Sequence, residues 1–402
     1  MLKRLRIIAS VDPRHGGPIE GIRQHVPFHA QTGIEEHVVS LDPSDAPWVK
    51  EFPLKVFACG EPMGTLRAWE ARMLWRRYGY RPAFLPWLRA HVKDYDVVVV
   101  DGLWRYTNLG ARKVLAQSGV PYLVLPHGML DPWFKQTYPI KGALKQVSWW
   151  FSEGPLLNNA NNVLFTCEEE KIRARESFGP YRVKERVVAF GTSDPVMDLE
   201  AQTQAFRESI PELTKPYLLF LSRLHPKKGC DLLLEAFAEV FGARDDMDLV
   251  MAGPAVPGFG KGLKAQALAL GLEKRVHWPG MLQGAAKWGA FRNAEAFVLP
   301  SHQENFGIVV AEAMACSRPV LISDKVNIWR EVTAGGGGFA DTDDVAGTVR
   351  SLRRFLALSS SEREEMGRRA RQSFFDFFEV TRSVEAINDA CREAIAAGRQ
   401  RT

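Results

Sequence analysis

The chain has 402 residues, 46% of them apolar, 25% charged and 10% aromatic. It is longer than the usual domain of about 100–200 residues, and its composition excludes disordered, collagen-like and disulfide-scaffold proteins. Five cysteines without a C-x-x-C pair exclude a zinc ribbon and a dithiol redox site and fit a reducing cytoplasm. The formal net charge of +5 sits in the first half, with 26 Lys/Arg against 20 Asp/Glu in residues 1–194 and 26 against 27 in residues 195–402, so the halves are expected to meet different partners.

In chain order, Lys3, Arg4 and Arg6 precede an apolar run too short for a signal-peptide core, and no run of about 18 apolar residues follows anywhere. The start reads as a strand, and a membrane span is not expected. Strands are predicted at 6–11, 36–41, 96–101, 121–125 and 162–166, separated by helical periodicity. The stretch 191–216, broken by Gly191, Pro195, Pro211 and Pro216, reads as the boundary, with a linker at 195–215. Strands resume at 217–221, 248–252, 275–279, 296–300 and 319–323. This alternation predicts an α/β chain of two Rossmann-like, mainly parallel sheets, one in a domain at 1–194 and one in a domain at 216–375. From Ser359 onward the pattern is helical. Phe374, Phe375, Phe377 and Phe378 give it an apolar face that must dock, and the terminal helix, 376–402, is expected to return to the first domain.

Between Arg67 and Lys93, seven basic residues (Arg67, Arg72, Arg76, Arg77, Arg81, Arg89, Lys93) alternate with Trp69, Trp75, Tyr78, Tyr80, Phe84 and Trp87. Such a stretch suits an anionic membrane surface or a phosphorylated lipid, and equally a solvated helix pair with a packed aromatic face.

Ligands of open parallel sheets bind beyond the carboxyl ends of the strands, so the residues that follow each predicted strand carry the chemistry. Gly16-Gly17 lets backbone N–H groups approach a phosphate, or simply makes a tight turn. His127, between Pro126 and Gly128, follows a strand directly and suits a sugar hydroxyl or a reacting group, although a lone histidine is more often structural. In the second half, Ser222-Arg223-Leu224 precedes Lys227-Lys228-Gly229, and Gly253 follows the next strand. Arg223 and Lys228 suit a diphosphate, the first as a fixed fork and the second as a mobile point charge, with Lys227 as the rival of Lys228. Glu304 lies in a loop before Asn305, Phe306, Gly307 and Ile308, and Glu312 lies inside an apolar helix where a carboxylate needs hydrogen-bond donors such as ribose hydroxyls. A cap or an ion pair to an arginine is the structural alternative for each carboxylate.

Together these residues resemble the retaining glycosyltransferases of family 4. The resemblance rests on Ser222-Arg223-Leu224 with Lys228-Gly229, on Ser301-x-x-Glu304-x-Phe306-Gly307 running to Glu312-Ala313-Met314-Ala315-Cys316 and Pro319-Val320, and on Gly16-Gly17 and His127-Gly128. It spans nearly the whole chain, and the block from Glu304 to Val320 is its specific part. Ser317 stands where the family usually has glycine, and Pro226-Lys227 replaces a small or acidic residue. The resemblance implies the GT-B fold, two doubly wound domains facing each other across a cleft. It implies that Arg223 and Lys228 hold the donor diphosphate, Glu312 the ribose and Glu304 the donor sugar beside the Phe306 and Gly307 amides. His127 would then lie near the transferred sugar and Gly16-Gly17 near the phosphates. Ser222, Gly253, Asn305 and Ile308 complete the expected donor site. The configuration at the anomeric carbon would be retained, with a UDP- or GDP-sugar as donor and a saccharide, lipid-diphosphate-linked or free, as acceptor.

Neither a cofactor nor a metal is expected. Of three D-x-D triplets, Asp94–Asp96 and Asp246–Asp248 precede strands and Asp341–Asp343 lies in a late loop, and all three read as solvated turns. His25 and His29 lack the acidic neighbour of a zinc helix. The favoured reading is an enzyme of surface-polysaccharide synthesis in the cytoplasm, in peripheral contact with the inner face of an anionic membrane. A sugar-nucleotide epimerase on the same fold and a non-catalytic nucleotide-sugar binder are the alternatives, and nucleic acid is not an expected partner.

Overall fold

In the computed structural model, which describes residues 1–65, 69–70 and 73–399, the chain divides into two units. The first comprises Met1–Phe190 with Val380–Thr402, and the second comprises Gly191–Glu379.

The first unit is built on seven parallel strands, β1 (Leu2–Ile7), β2 (Ile34–Pro43), β3 (Lys55–Gly60), β4 (Val97–Asp101), β5 (Tyr122–Leu125), β6 (Asn162–Phe165) and β7 (Glu185–Val187), in the order β3-β2-β1-β4-β5-β6-β7. Alternate side chains serve opposite faces. Val98 and Val100 join Leu5, Ile7, Val124 and Phe165 beneath the helices Phe84–His91 and Tyr106–Ser118. Val97 and Val99 join Leu123, Leu125 and Leu164 on the other face, under Ile387, Ala390, Cys391 and Ala394 of the terminal helix Val380–Arg399. The docking face of that helix is therefore this aliphatic row. The phenylalanine cluster is a separate single π-turn, Phe374–Phe378, with Phe374 and Phe378 buried and Phe375 and Phe377 each 39% exposed.

The first strand lies four residues earlier than its apolar run predicts, because Arg4 and Arg6 are themselves buried strand residues. Both point away from the Leu5 and Ile7 face and share Glu36 of β2. The short edge strands β3 and β7, which sequence periodicity does not reveal, extend the sheet on either side. Within the basic, aromatic stretch, Arg67 and Arg72 lie outside the described residues. Phe84 and Leu88 are core residues and Trp87 packs on Phe57, whereas Trp69 and Trp75 are exposed.

The second unit holds six parallel strands, β8 (Tyr217–Leu221), β9 (Asp248–Ala252), β10 (Val276–Gly280), β11 (Ala296–Leu299), β12 (Val320–Ser323) and β13 (Gly338–Asp341), in the order β10-β9-β8-β11-β12-β13. The expected linker at 195–215 contains the helix Leu199–Ser209, which packs within this unit against the helix Gly284–Asn293. The two helices approach so closely that a Cβ at Gly289 would lie 2.0 Å from the Gln202 carbonyl oxygen. In both sheets the strand order reverses at the centre, between β1 and β4 and between β8 and β11. A crevice opens at the carboxyl ends of such strands because the connections on the two sides leave in opposite directions.

Candidate functional site

At the β8/β11 reversal the loops are locked together by their backbones. The Ser222 N–H donates to the Ala252 carbonyl at 3.0 Å, and the Gly253 N–H donates to the Gly280 carbonyl at 2.7 Å. Gly253 has φ 139°, and a Cβ there would lie 1.8 Å from the Ser222 carbonyl oxygen, so no side chain fits. Arg223 follows, exposed, and among the described residues its guanidinium meets no carboxylate. A single 3-10 turn, Pro226–Lys228, is capped by the His225 ring, and Gly229, at φ 64°, swings the chain into the helix Cys230–Phe241. A Cβ at Gly229 would lie 2.1 Å from the Pro300 carbonyl oxygen.

That close approach brings the loop after β11 over the loop after β8. Ser301 Oγ and the His302 N–H both donate to the Lys227 carbonyl, at 3.0 and 2.9 Å. Glu304 is fixed by its backbone, which donates to the Lys325 carbonyl and accepts from the Asn327 N–H, each at 3.0 Å. Its carboxylate contacts Nζ of the buried Lys228. Burial, with the Lys227 and Arg223 charges nearby, lowers the Lys228 ammonium from its ordinary value to about 7. Of the two rival lysines, Lys228 is therefore the one joined to Glu304. Gly307, at φ 71°, opens the helix Ile308–Ala315, and its carbonyl accepts from the Val310 N–H at 2.7 Å. Phe306 is buried edge-on against Phe378, and Asn305 meets the buried Asn327 at 3.4 Å.

Lys228 and Glu304 are thus brought together, with the Arg223 charge nearby, while Glu312 is anchored separately. It is buried in the helix Ile308–Ala315, and its Oε1 accepts from Lys287 Nζ at 2.7 Å. Lys287, which lies over the Trp288 ring, is a donor that sequence reasoning missed, since nothing in its surroundings marks it.

At the β1/β4 reversal of the first unit, Gly16 (φ 83°) and Gly17 open the helix Gly17–His25, and a Cβ on either would meet nothing within 4 Å. His127, after β5, adopts the left-handed φ of 51°, and its Nε2 lies 2.9 Å from Oδ1 of Asp101, the last residue of β4. Arg6 Nη1 binds both Asp101 oxygens at 3.1 and 3.0 Å, and Arg6 Nε binds Glu36 at 2.8 Å. Arg4 also pairs with Glu36 and reaches Asn388 of the terminal helix at 2.9 Å. Asp101 is held below the usual carboxylate range: burial raises it, but Arg6 and the His127 contact outweigh burial. His127, Asp101, Asp12, Asp42, Arg77 and Arg105 share the wall of a cavity of about 400 Å³, within the range of about 300–1,000 Å³ usual for small-ligand sites. The sequence pointed to His127 but not to the buried ions that hold it.

Two D-x-D triplets are not solvated turns throughout. Asp248 is buried against His277 at 2.9 Å, and Asp343 meets His302 at 2.8 Å. Among the described residues no three His, Cys, Asp or Glu side chains cluster as a metal site.

Two family profiles match the chain, "Glycosyl transferase 4-like domain" over residues 24–191 and "Glycosyl transferases group 1" over residues 202–373. The D-inositol 3-phosphate glycosyltransferase of Arthrobacter sp. is 32% identical over 185 residues, 44% of each chain. The phosphatidyl-myo-inositol mannosyltransferase of Mycobacterium leprae is 37% identical over 128 residues, 31% of this chain and 32% of that one. The chain spans between 27% and 49% of the length of such curated relatives. The fold is that of the sucrose-phosphate synthase of Thermosynechococcus elongatus (TM-score 0.74, 19% identity, 99% of this chain and 100% of that one). It is likewise that of the Anabaena protein HepE solved with UDP (TM-score 0.75, 16% identity, 98% of this chain and 100% of that one).

Proposed function

From the chain's membership of the glycosyltransferases built of a 4-like and a group 1 domain, we propose that it moves a sugar from a UDP- or GDP-sugar to a saccharide acceptor with retention at the anomeric carbon. One observation supports this reading: Arg223 and the Lys228–Glu304 pair lie on the loops that follow β8 and β11, where the strand order of the second sheet reverses. Two cations there neutralise the diphosphate as it leaves, which is the main work of such a reaction because the donor is already activated. Glu304 holds donor-sugar hydroxyls, and Glu312, oriented by Lys287, holds the ribose. The acceptor oxygen bonds to the anomeric carbon on the face from which the diphosphate departs, the carbon–phosphate oxygen bond breaks, and the acceptor proton passes to the departing phosphate. No step calls for a metal, so turnover is expected to survive a chelator. The UDP bound to the Anabaena protein of the same fold supports a nucleotide donor.

The acceptor belongs to the first unit, where His127 lines the cavity, and surface-polysaccharide synthesis at the inner face of a membrane is the setting. Among the described residues no helix is long and apolar enough to cross a membrane. The helix Pro139–Ser148 and the turn after it nonetheless expose Ile140, Leu144, Val147 and Phe151 at helical spacing. Residues 132–152 contain three lysines and no carboxylate. This face rests on an anionic bilayer in the proposal, and absence of salt-sensitive binding to anionic liposomes would remove that part.

Thermal-shift screening with UDP, GDP, ADP and their sugars tests the donor site. One nucleotide should raise the midpoint, and Glu312→Ala should lose that response while staying folded. If no nucleotide responds, the donor reading fails. Release of the nucleoside diphosphate only when an acceptor is supplied separates transfer from epimerisation.

A further inference from the structure

The first-unit cavity has an imbalance of charge that a neutral saccharide would leave uncorrected. Three carboxylates line it, and each is satisfied from within. Asp12 binds Arg14 through both oxygens, with the Arg14 Nε at 3.0 and 2.9 Å. Asp101 holds Arg6 and His127. Asp42 accepts from four neutral donors, Ser10 Oγ at 2.5 Å, the Val11 N–H at 2.8 Å, Ser40 Oγ at 2.8 Å and Trp48 Nε1 at 3.0 Å. Most of the acceptor capacity of these three side chains is thus taken up inside the protein.

The same cavity is also lined by Arg76, Arg77, Arg81 and Arg105. A single carboxylate, Glu61, serves two of them, with Arg76 at 2.6 Å and Arg81 at 3.5 Å. Arg105 Nη1 donates at 2.7 Å to the neutral carbonyl of Arg77. Among the described residues neither Arg77 nor Arg105 pairs with a carboxylate. Setting Asp42 and Glu61 against the four guanidiniums leaves two positive charges over, and Arg81 shows the strain, pulled below its ordinary value by burial and by Arg76 despite Glu61. A phosphoryl group brings about −1.5 to −2 charges at neutral pH, and its oxygens match the guanidinium fork.

We propose that this cavity binds a phosphoryl group of the acceptor through Arg77 and Arg105. The inference rests on the reading of the first unit as the acceptor side and adds the acceptor's chemistry to it. A soluble sugar phosphate and a lipid diphosphate present the same group, so the test distinguishes the two sources.

Phosphates also suit Arg223 and Lys228, so the experiment is done in the full chain carrying Arg223→Ala and Lys228→Ala. Binding of inorganic pyrophosphate, glucose 6-phosphate, glucose, and vesicles bearing a polyprenyl diphosphate is measured by tryptophan fluorescence. At least one phosphate-bearing probe should bind, glucose should not, and adding Arg77→Ala and Arg105→Ala should weaken the binding about tenfold or more. Arg77→Ala alone, whose guanidinium pairs with no carboxylate among the described residues, should weaken it in the same direction. The proposal is overturned if no phosphate probe binds, or if the cavity substitutions leave binding unchanged. Response to glucose 6-phosphate or only to the vesicles identifies the source. A nucleotide response in the unsubstituted chain that persists while the cavity test fails sinks this inference alone, and the reverse pattern sinks the donor reading alone.

Discussion

The two strand-order reversals of this molecule solve the same geometric problem by different means. At β8/β11 the site is held by backbone fit. Gly229 and Gly253 sit so close to neighbouring carbonyls that a methyl group cannot enter, and Lys228 and Glu304 pair on the loops they fix. At β1/β4 the glycines lie in open space, and the rigidity comes from buried ions, with Arg4, Arg6, Glu36 and Asp101 forming the floor beneath His127. Backbone fit tolerates substitution of charges but not of glycines, whereas an ionic floor is broken by the loss of a single charge. The comparison separates residues that build a site from residues that act in it.

The largest effect is expected from the ionic floor. Glu36→Gln leaves Arg4 and Arg6 in a dry interior with Asp101 as their remaining counter-charge among the described residues, and removing one partner of a buried network costs about 3–5 kcal/mol. Chemical denaturation should show that loss, and an unchanged midpoint would mean the floor is not structural. Burial raises the Glu36 carboxyl, but Arg4, Arg6 and His29 bring it down to about 2, below its ordinary 4.5. A carboxylate depressed by folding stabilises above its unfolded value, so its contribution is full above about pH 4.5 and fades as the pH falls toward 2.

The two cations proposed to hold the diphosphate should show the next effect, on turnover and not on folding. Arg223→Ala is expected to slow the reaction by about 10² to 10³, the scale for losing one group that stabilises developing charge. Rates within about threefold of the unsubstituted chain would remove Arg223 from that role. Lys228 adds a dependence on pH. Its folded value lies near 7, so nucleotide affinity should fall as the pH rises above 7 and the ammonium is lost, whereas Lys228→Arg should flatten the profile. An unsubstituted profile that is flat between pH 7 and 9 would contradict the assignment.

The same contrast explains what the sequence made legible. The second-unit site lies in two short segments, 222–229 and 301–312, each following an apolar strand, so spacing alone brought Arg223, Lys228, Glu304 and Glu312 into view. The first-unit site is assembled from single residues on β1, β2, β4 and a helix near the carboxyl end, and no local pattern marks Arg4 with Glu36 and Asn388 as neighbours. Arg4 and Arg6 even hid their strand, because buried charges break the apolar alternation by which strands are recognised. Lys287 was invisible for the same reason, since its meaning comes only from contact with Glu312, 25 residues on.

The smallest effect concerns a departure from the family pattern at Ser317. The turn that leaves the helix Ile308–Ala315 requires a left-handed residue, and Ser317 supplies it at φ 58° while its N–H bonds the Met314 carbonyl at 2.9 Å. A side chain in that conformation costs about 1–2 kcal/mol, and glycine would remove the cost while losing about 0.5–1 kcal/mol in chain entropy. Ser317→Gly should therefore stabilise the second unit by about 0.5–1 kcal/mol, a rise of about 1–3 °C in its midpoint, without altering nucleotide affinity. Because the turn already has the shape that glycine would adopt, the serine burdens stability and not geometry. A loss of stability, or a changed affinity, would show that the hydroxyl does something here beyond tolerating the turn.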